Sequence, residues 1–102
     1  MIDVNVKFFG VLRNYAKREN SRISLNEPAN VETLIMKLSR QSSQFKELIG
    51  IETKELSSNV IVMVNGKEIG VLNGIQTNLH DGDNIILIPA VHGGWRFAFV
   101  VI

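Results

Sequence analysis

The sequence predicts an α+β domain in which a mixed sheet of about five strands carries one main helix across it. Three observations lead there. IDVNVKFF, at the start of the chain, alternates apolar and polar residues with the period of a half-buried strand. Val31, Leu34, Ile35 and Leu38 step at i, i+3, i+4 and i+7, which is one apolar stripe on a helix. Two β-branched runs late in the chain, VIVMV and NIILI, are bracketed by Asn65-Gly66 and Asp81-Gly82-Asp83, both strong turn signals.

The elements follow in order. Ile2, Val4, Val6 and Phe8 share one parity of the first strand, and Asp3, Asn5 and Lys7 the other, so one face is buried and one is wet. In GVLRNYAKREN, Leu12, Tyr15 and Ala16 fall at helical spacing, predicting a short helix or helical turn that ends at Asn20 and Ser21. RISL forms a brief second strand to Leu25, expected antiparallel to the first. Asn30 is the expected N-cap of the main helix, since its side-chain oxygen can accept an orphan amide hydrogen of the first turn. Glu32 suits the positive end of the helix dipole. The helix runs out between Ser39 and Ser43.

FKELIGIETKELSS reads as irregular, although Phe45, Leu48 and Ile49 would fit a short turn stopped by Gly50. Val60 to Val64 is too short for a helix and is expected as a strand, with KEIGVL pairing back against it through Asn65-Gly66. The last strand runs from Asn84 to Ile88 and ends at Pro89, which has no N–H to give a ladder. Both late strands are apolar at both parities, whereas one helix covers one face. If Ile85 and Leu87 point inward, Ile86 and Ile88 form an apolar patch on the other face, which is expected to take a partner unless the tail or a helical turn covers it.

A chain of 102 residues fits one domain with one core. With a net charge of +1 and no cluster of Lys or Arg, no footprint for nucleic acid or an anionic membrane is present. No apolar run approaches the ~20 residues needed to span a bilayer, and the alternating start does not resemble a secretory signal. There is no cysteine, so no disulfide, thiolate metal site or thioester can form, which suits a cytoplasmic location.

The strings VKFFGVLRNYA, VNGKEI and LHDGDNIILIPAVHGG resemble the MoaD/ThiS group: the small sulfur-carrier subunit of molybdopterin synthase and its thiamin-pathway relatives. The resemblance covers residues 2–94, and its most specific piece is Asp-Gly-Asp, a short strand, Pro89 and then Gly93-Gly94. It implies a ubiquitin-like β-grasp fold over residues 1–94 and a carrier rather than an enzyme. It further implies that the carboxylate of Gly94 is adenylated by an ATP-dependent, E1-like activating enzyme and converted to a thiocarboxylate. The sulfur then passes to an acceptor in the large subunit of molybdopterin synthase. No cofactor is expected on the chain itself; ATP belongs to the activating partner. Pro89 to Gly94 would form the arm, with Ile86, Ile88, Pro89, Val91, His92 and Gly93 as partner-binding residues. Glycines at its tip lack Cβ atoms and can pass a narrow channel.

Here the chain departs from the family, because Gly94 is followed by WRFAFVVI. The Gly94 carbonyl is held in an amide with Trp95 and presents no oxygen nucleophile to ATP. Activation therefore requires a protease to cut between Gly94 and Trp95, which removes residues 95–102. The extension alternates, with Trp95, Phe97, Phe99 and Val101 on one parity, so it is expected as an added strand or a cleavable tail. Docked on its own sheet it would lock the arm; docked on a neighbouring copy it would give a homodimer by strand addition.

Two alternatives accompany the carrier: a ubiquitin-like modifier joined to lysines through Gly94, and a β-grasp binding module with no terminal chemistry. Other candidate sites are weaker. His92 on an arm has nothing to orient it as an acid or base. His80 with Asp81 and Asp83 suggests a metal at first sight, but turn chemistry accounts for both carboxylates, and no metal is expected. Gly70 and Gly74 lack the lysine and strand-to-helix context of a phosphate loop.

Overall fold

The computed structural model describes residues 1–10, 12–13, 20–43, 45–46 and 60–89. Strand β1, Ile2–Phe8, is followed by β2, Asn20–Leu25, and by the two-residue β3, Ala29–Asn30. Helix α1 spans Val31–Ser39. Strands β4, Val60–Val64, and β5, Lys67–Glu68, form a hairpin, and β6, Asn78–Leu79, precedes β7, Asn84–Pro89.

The main sheet has five strands in the order β2-β1-β7-β4-β5, so the last strand in the sequence is the middle strand of the sheet. β7 runs parallel to β1 and antiparallel to β4, which makes the sheet mixed, as expected. β2 pairs antiparallel with β1, setting Val4 opposite Ile23 and Ile2 opposite Leu25. A separate two-stranded ladder joins β3 to β6.

Alternation places Ile2, Val4, Val6 and Phe8 of β1, Val60, Val62 and Val64 of β4, and Ile85 and Leu87 of β7 on one face, all buried. α1 lays Val31, Leu34, Ile35 and Leu38 against them in one continuous core. Each such side chain contributes on the order of 1.5–3 kcal/mol when fully buried. Asn30 caps the helix as expected: its Oδ1 accepts from the Thr33 amide at 2.9 Å, and the Thr33 hydroxyl accepts from the Asn30 amide in return. Lys37 in the last turn reaches the carbonyl of Ser24, tying α1 to β2.

Three local expectations need correction. KEIGVL pairs only through Lys67 and Glu68, then turns into a 3-10 helix at Ile69–Val71. The Glu68 carboxylate accepts from the Gly70 amide at 2.6 Å, capping that turn and ending the strand. Phe45 and Lys46 are helical rather than irregular, and Phe45 is buried with its ring edge-on to Phe8 at 6.1 Å between centroids. β7 extends through Pro89, which sits opposite Val60, one residue beyond the expected stop. Leu12 and Arg13 are helical and Leu12 is fully buried; Tyr15, Ala16, Leu48, Ile49 and Gly50 lie outside the described residues.

Candidate functional site

The expected arm follows the C-terminal end of the central strand of the sheet. β7 is paired on both sides, by β1 through residues 84–87 and by β4 through residues 85–89. Pro89 ends it, and Gly10, just past the end of β1, lies directly against the Pro89 ring. Pro89 itself is thus fixed both by the ladder and by the Gly10 backbone. Val91, His92, Gly93, Gly94 and Trp95, which carry the expected activation and cleavage, lie outside the described residues.

The three described members of the expected arm and patch are Ile86, Ile88 and Pro89. Ile85 and Leu87 point into the core at 1% and 0% exposure, so Ile86 and Ile88 take the outer parity. There Ile86 is flanked by Lys7 and Met63, and Ile88 stands opposite Ile61. Ile86 is half-buried, whereas Ile88 retains only 9% of its exposure. Lys7 holds its ammonium 5.2 Å from the centre of the Phe9 ring, which puts Phe9 beside it on the same face.

The outer face is graded. Away from Pro89 it is polar, with Asp3 opposite Ser24 and, nearer to it, Asn5 beside Asn84 and Arg22. The next row runs Lys7, Ile86, Met63, and the one nearest the arm is Phe9, Ile88, Ile61. A groove of about 540 Å³ opens over the polar half, lined among the described residues by Asn5, Lys7, Asn20, Arg22, Asn84 and Ile86. Sequence patterning pointed to Ile86 and Ile88 but passed over Ile61 and Met63, although the alternation of VIVMV implies their orientation as well. Gly10 and Phe9 carried no signal beyond the end of the alternating run.

The turn before β7 is a structural clasp. Asp81 Oδ1 accepts from the Asp3 amide at 2.8 Å and the Gly82 amide donates to the Asp3 carbonyl at 2.8 Å. Asp83 accepts from the His80 amide at 2.8 Å through one carboxylate oxygen and from the Asn65 side chain at 3.0 Å through the other. Asn65 Oδ1 in turn accepts from the Asn84 amide at 2.9 Å. The β4–β5 turn and the turn before β7 are thus bonded together, which fixes the register of the arm-bearing strand. Among the described residues no group of three His, Cys, Asp or Glu side chains is placed to hold a metal ion. No helix among them is long and apolar enough to cross a membrane.

Comparison with known proteins adds the family. The model of the ThiS family matches residues 6–94, beginning within β1 and stopping at the second glycine of the pair. The chain is 28% identical over 95 residues to small archaeal modifier protein 3 of Haloferax volcanii, covering 91% of this chain and all of that one. The solution structure of small archaeal modifier protein 1 from Methanosarcina acetivorans superposes with a TM-score of 0.76 at 29% identity, over 92% of this chain and 98% of the other. A Pyrococcus furiosus protein provisionally assigned as molybdopterin converting factor subunit 1 superposes with a TM-score of 0.73 at 29% identity, over 89% of this chain and all of that one. These neighbours share the ubiquitin-like β-grasp architecture.

Proposed function

The chain belongs to the ThiS family, and from that premise we propose that it is a sulfur carrier of molybdopterin, or tungstopterin, cofactor biosynthesis acting through Gly94. Members of this family are ubiquitin-like small carriers or modifiers that act with activating enzymes. The observation that carries the proposal is where the family match stops: it includes Gly93 and Gly94 and excludes WRFAFVVI. The matched part ends at the residue whose carbonyl would become the carboxylate on this reading.

The chemistry has three steps. A protease hydrolyses the Gly94–Trp95 amide, water supplying the carboxylate oxygen at Gly94 and a proton to the departing amine. A Gly94 carboxylate oxygen then attacks the α-phosphorus of ATP in the activating enzyme, and pyrophosphate leaves. A hydrosulfide-level sulfur nucleophile displaces AMP from the acyl carbon, leaving the thiocarboxylate that the large subunit of molybdopterin synthase consumes. The domain's own contribution is mechanical: it is a rigid mount for a narrow arm, with Ile86, Ile88 and Pro89 beside its root. The nucleotide stays with the activating enzyme, and the setting is the cytoplasm.

One observation favours a second reading. Similarity to a protein named as a modifier, over its entire length, supports conjugation through Gly94 to lysines of other proteins. Both readings need the same cut and the same adenylate, and they part at the acceptor. The test is ATP–pyrophosphate exchange by the cognate activating enzyme, with the full chain and the chain cut after Gly94 as substrates. Exchange with the cut chain alone is expected; exchange with neither sinks both readings. Trapping a thiocarboxylate at Gly94 selects the carrier, and Gly-Gly remnants on lysines of other proteins select the modifier.

A further inference from the structure

We propose that the apolar end of the outer sheet face is a docking surface whose occupant in the uncut chain is the chain's own segment 95–102. Three observations carry this. The outer face is most apolar in the rows nearest Pro89, where Phe9, Ile88 and Ile61 are followed by Ile86 and Met63, with Lys7 at the β1 end of that second row. α1 packs on the opposite face, so among the described residues no helix covers these side chains. Ile88 nevertheless keeps only 9% exposure. Thirdly, the chain leaves the sheet at Pro89, at that same apolar end, and carries an alternating apolar segment a short distance beyond.

The reach is sufficient. The five residues from Ala90 to Gly94 span about 16 Å when extended, at roughly 3.3 Å per residue. Along β7 the Ile86 position lies only about 10 Å back from Pro89. A reversal at Gly93-Gly94, where either sign of φ is accessible, returns the segment over the face. Trp95, Phe97, Phe99 and Val101 then share the parity that meets Phe9, Ile61, Met63, Ile86 and Ile88. Arg96, the segment's one charged residue, falls on the other parity and stays in water.

Docking in this manner regulates the site. An apolar patch of this kind, once uncovered, is where a partner binds, and a tethered segment competes for it at an effective concentration on the order of mM. The uncut chain is then a latent form in which arm and patch are both withheld, and cleavage after Gly94 frees them together. That consequence rests on the carrier or modifier reading; the docking itself does not.

Trp95 is the chain's single tryptophan, so its fluorescence in the full chain reads the docking directly. The expected parent spectrum is blue-shifted and weakly quenched by iodide. Ile86→Lys should shift it toward free tryptophan and raise quenching severalfold, with far-UV circular dichroism unchanged. Phe99→Ser, which alters no residue of the described domain, should do the same and guards against a misfolded Ile86→Lys protein. A solvent-like Trp95 in the parent, or emission unmoved by both variants, overturns the proposal. So does a blue shift that vanishes on dilution together with a dimeric mass, since the occupant is then a second copy. Because no cleavage or activating enzyme is involved, failure here leaves the Gly94 chemistry standing, and failure of that chemistry leaves this result standing.

Discussion

A Cβ built on Gly10 would sit 2.9 Å from Cγ of Pro89, so the residue that ends β7 is seated against a backbone position with no side chain. Gly10 also has φ of +57°, in the left-handed region. The bend after β1 and the end of β7 are therefore one packed unit, and the seating of Pro89 depends on a residue 79 positions away in sequence.

Gly10→Ala should accordingly cost about 2 kcal/mol or more, from left-handed strain and from crowding the Pro89 ring. Gly66→Ala is the control. Gly66 has φ of +86° but nothing within 4 Å of its missing Cβ, so it should lose only about 1 kcal/mol through strain. Urea denaturation of both variants gives the difference, which reports the cost of crowding the Pro89 ring. Equal losses would mean that Pro89 moves aside freely and that the arm's root is not fixed there.

Leu87 is fully buried in the middle strand, between Phe8 on β1 and Val62 on β4. Leu87→Ala should destabilise the domain by about 2–5 kcal/mol, a large part of the total stability expected for a domain of this size. Thermal melting followed by circular dichroism measures it. A loss below 1 kcal/mol would contradict the placement of β7 at the centre of the core.

Asn30 makes the reciprocal cap with Thr33 and also donates to Gln76 at 3.4 Å, joining α1 to the segment before β6. Asn30→Ala should cost about 0.5–2 kcal/mol. Asn30→Asp should retain most of the cap, because a carboxylate also accepts from the Thr33 amide. Amide hydrogen exchange in the first turn of α1 separates the two.

The clasp before β7 predicts a contrast. Asp83→Ala removes acceptors for the His80 amide and the Asn65 side chain and should cost about 1–2 kcal/mol, while His80→Ala, at an exposed side chain, should stay within about 0.5 kcal/mol. Excess zinc should leave the melting temperature of the parent unchanged. A metal-induced rise that both substitutions abolish would turn the clasp into a metal site.

Much of this architecture is written locally. The parity of Ile2 to Phe8, the stripe from Val31 to Leu38 with its Asn30 cap, and the Asn65-Gly66 turn each act over a few residues, and each appears in the fold as the pattern implies. What escaped was set by distant partners. β3 and β6 are two residues each, too short to carry a period, and exist because they pair with one another. β5 stops after Glu68 because a side chain caps the next turn, which no strand propensity encodes. The Gly10–Pro89 contact and the place of Phe9 beside Ile88 follow from β1 lying parallel to β7, and the rows of Ile61 and Met63 from β4 lying antiparallel to it; both adjacencies are tertiary facts. Of the candidate site, the glycine pair and the abrupt change of composition after it are legible in the sequence, because the chemistry there is covalent rather than conformational.

On the proposed function, the working form of this protein ends in a free acid group at Gly94. Intact mass spectrometry of the untagged protein purified from its own cell tests it most directly. The account predicts a population ending at Gly94, part of it heavier by the exchange of one carboxyl oxygen for sulfur. A functional population that retains Trp95 to Ile102 in every molecule would contradict it.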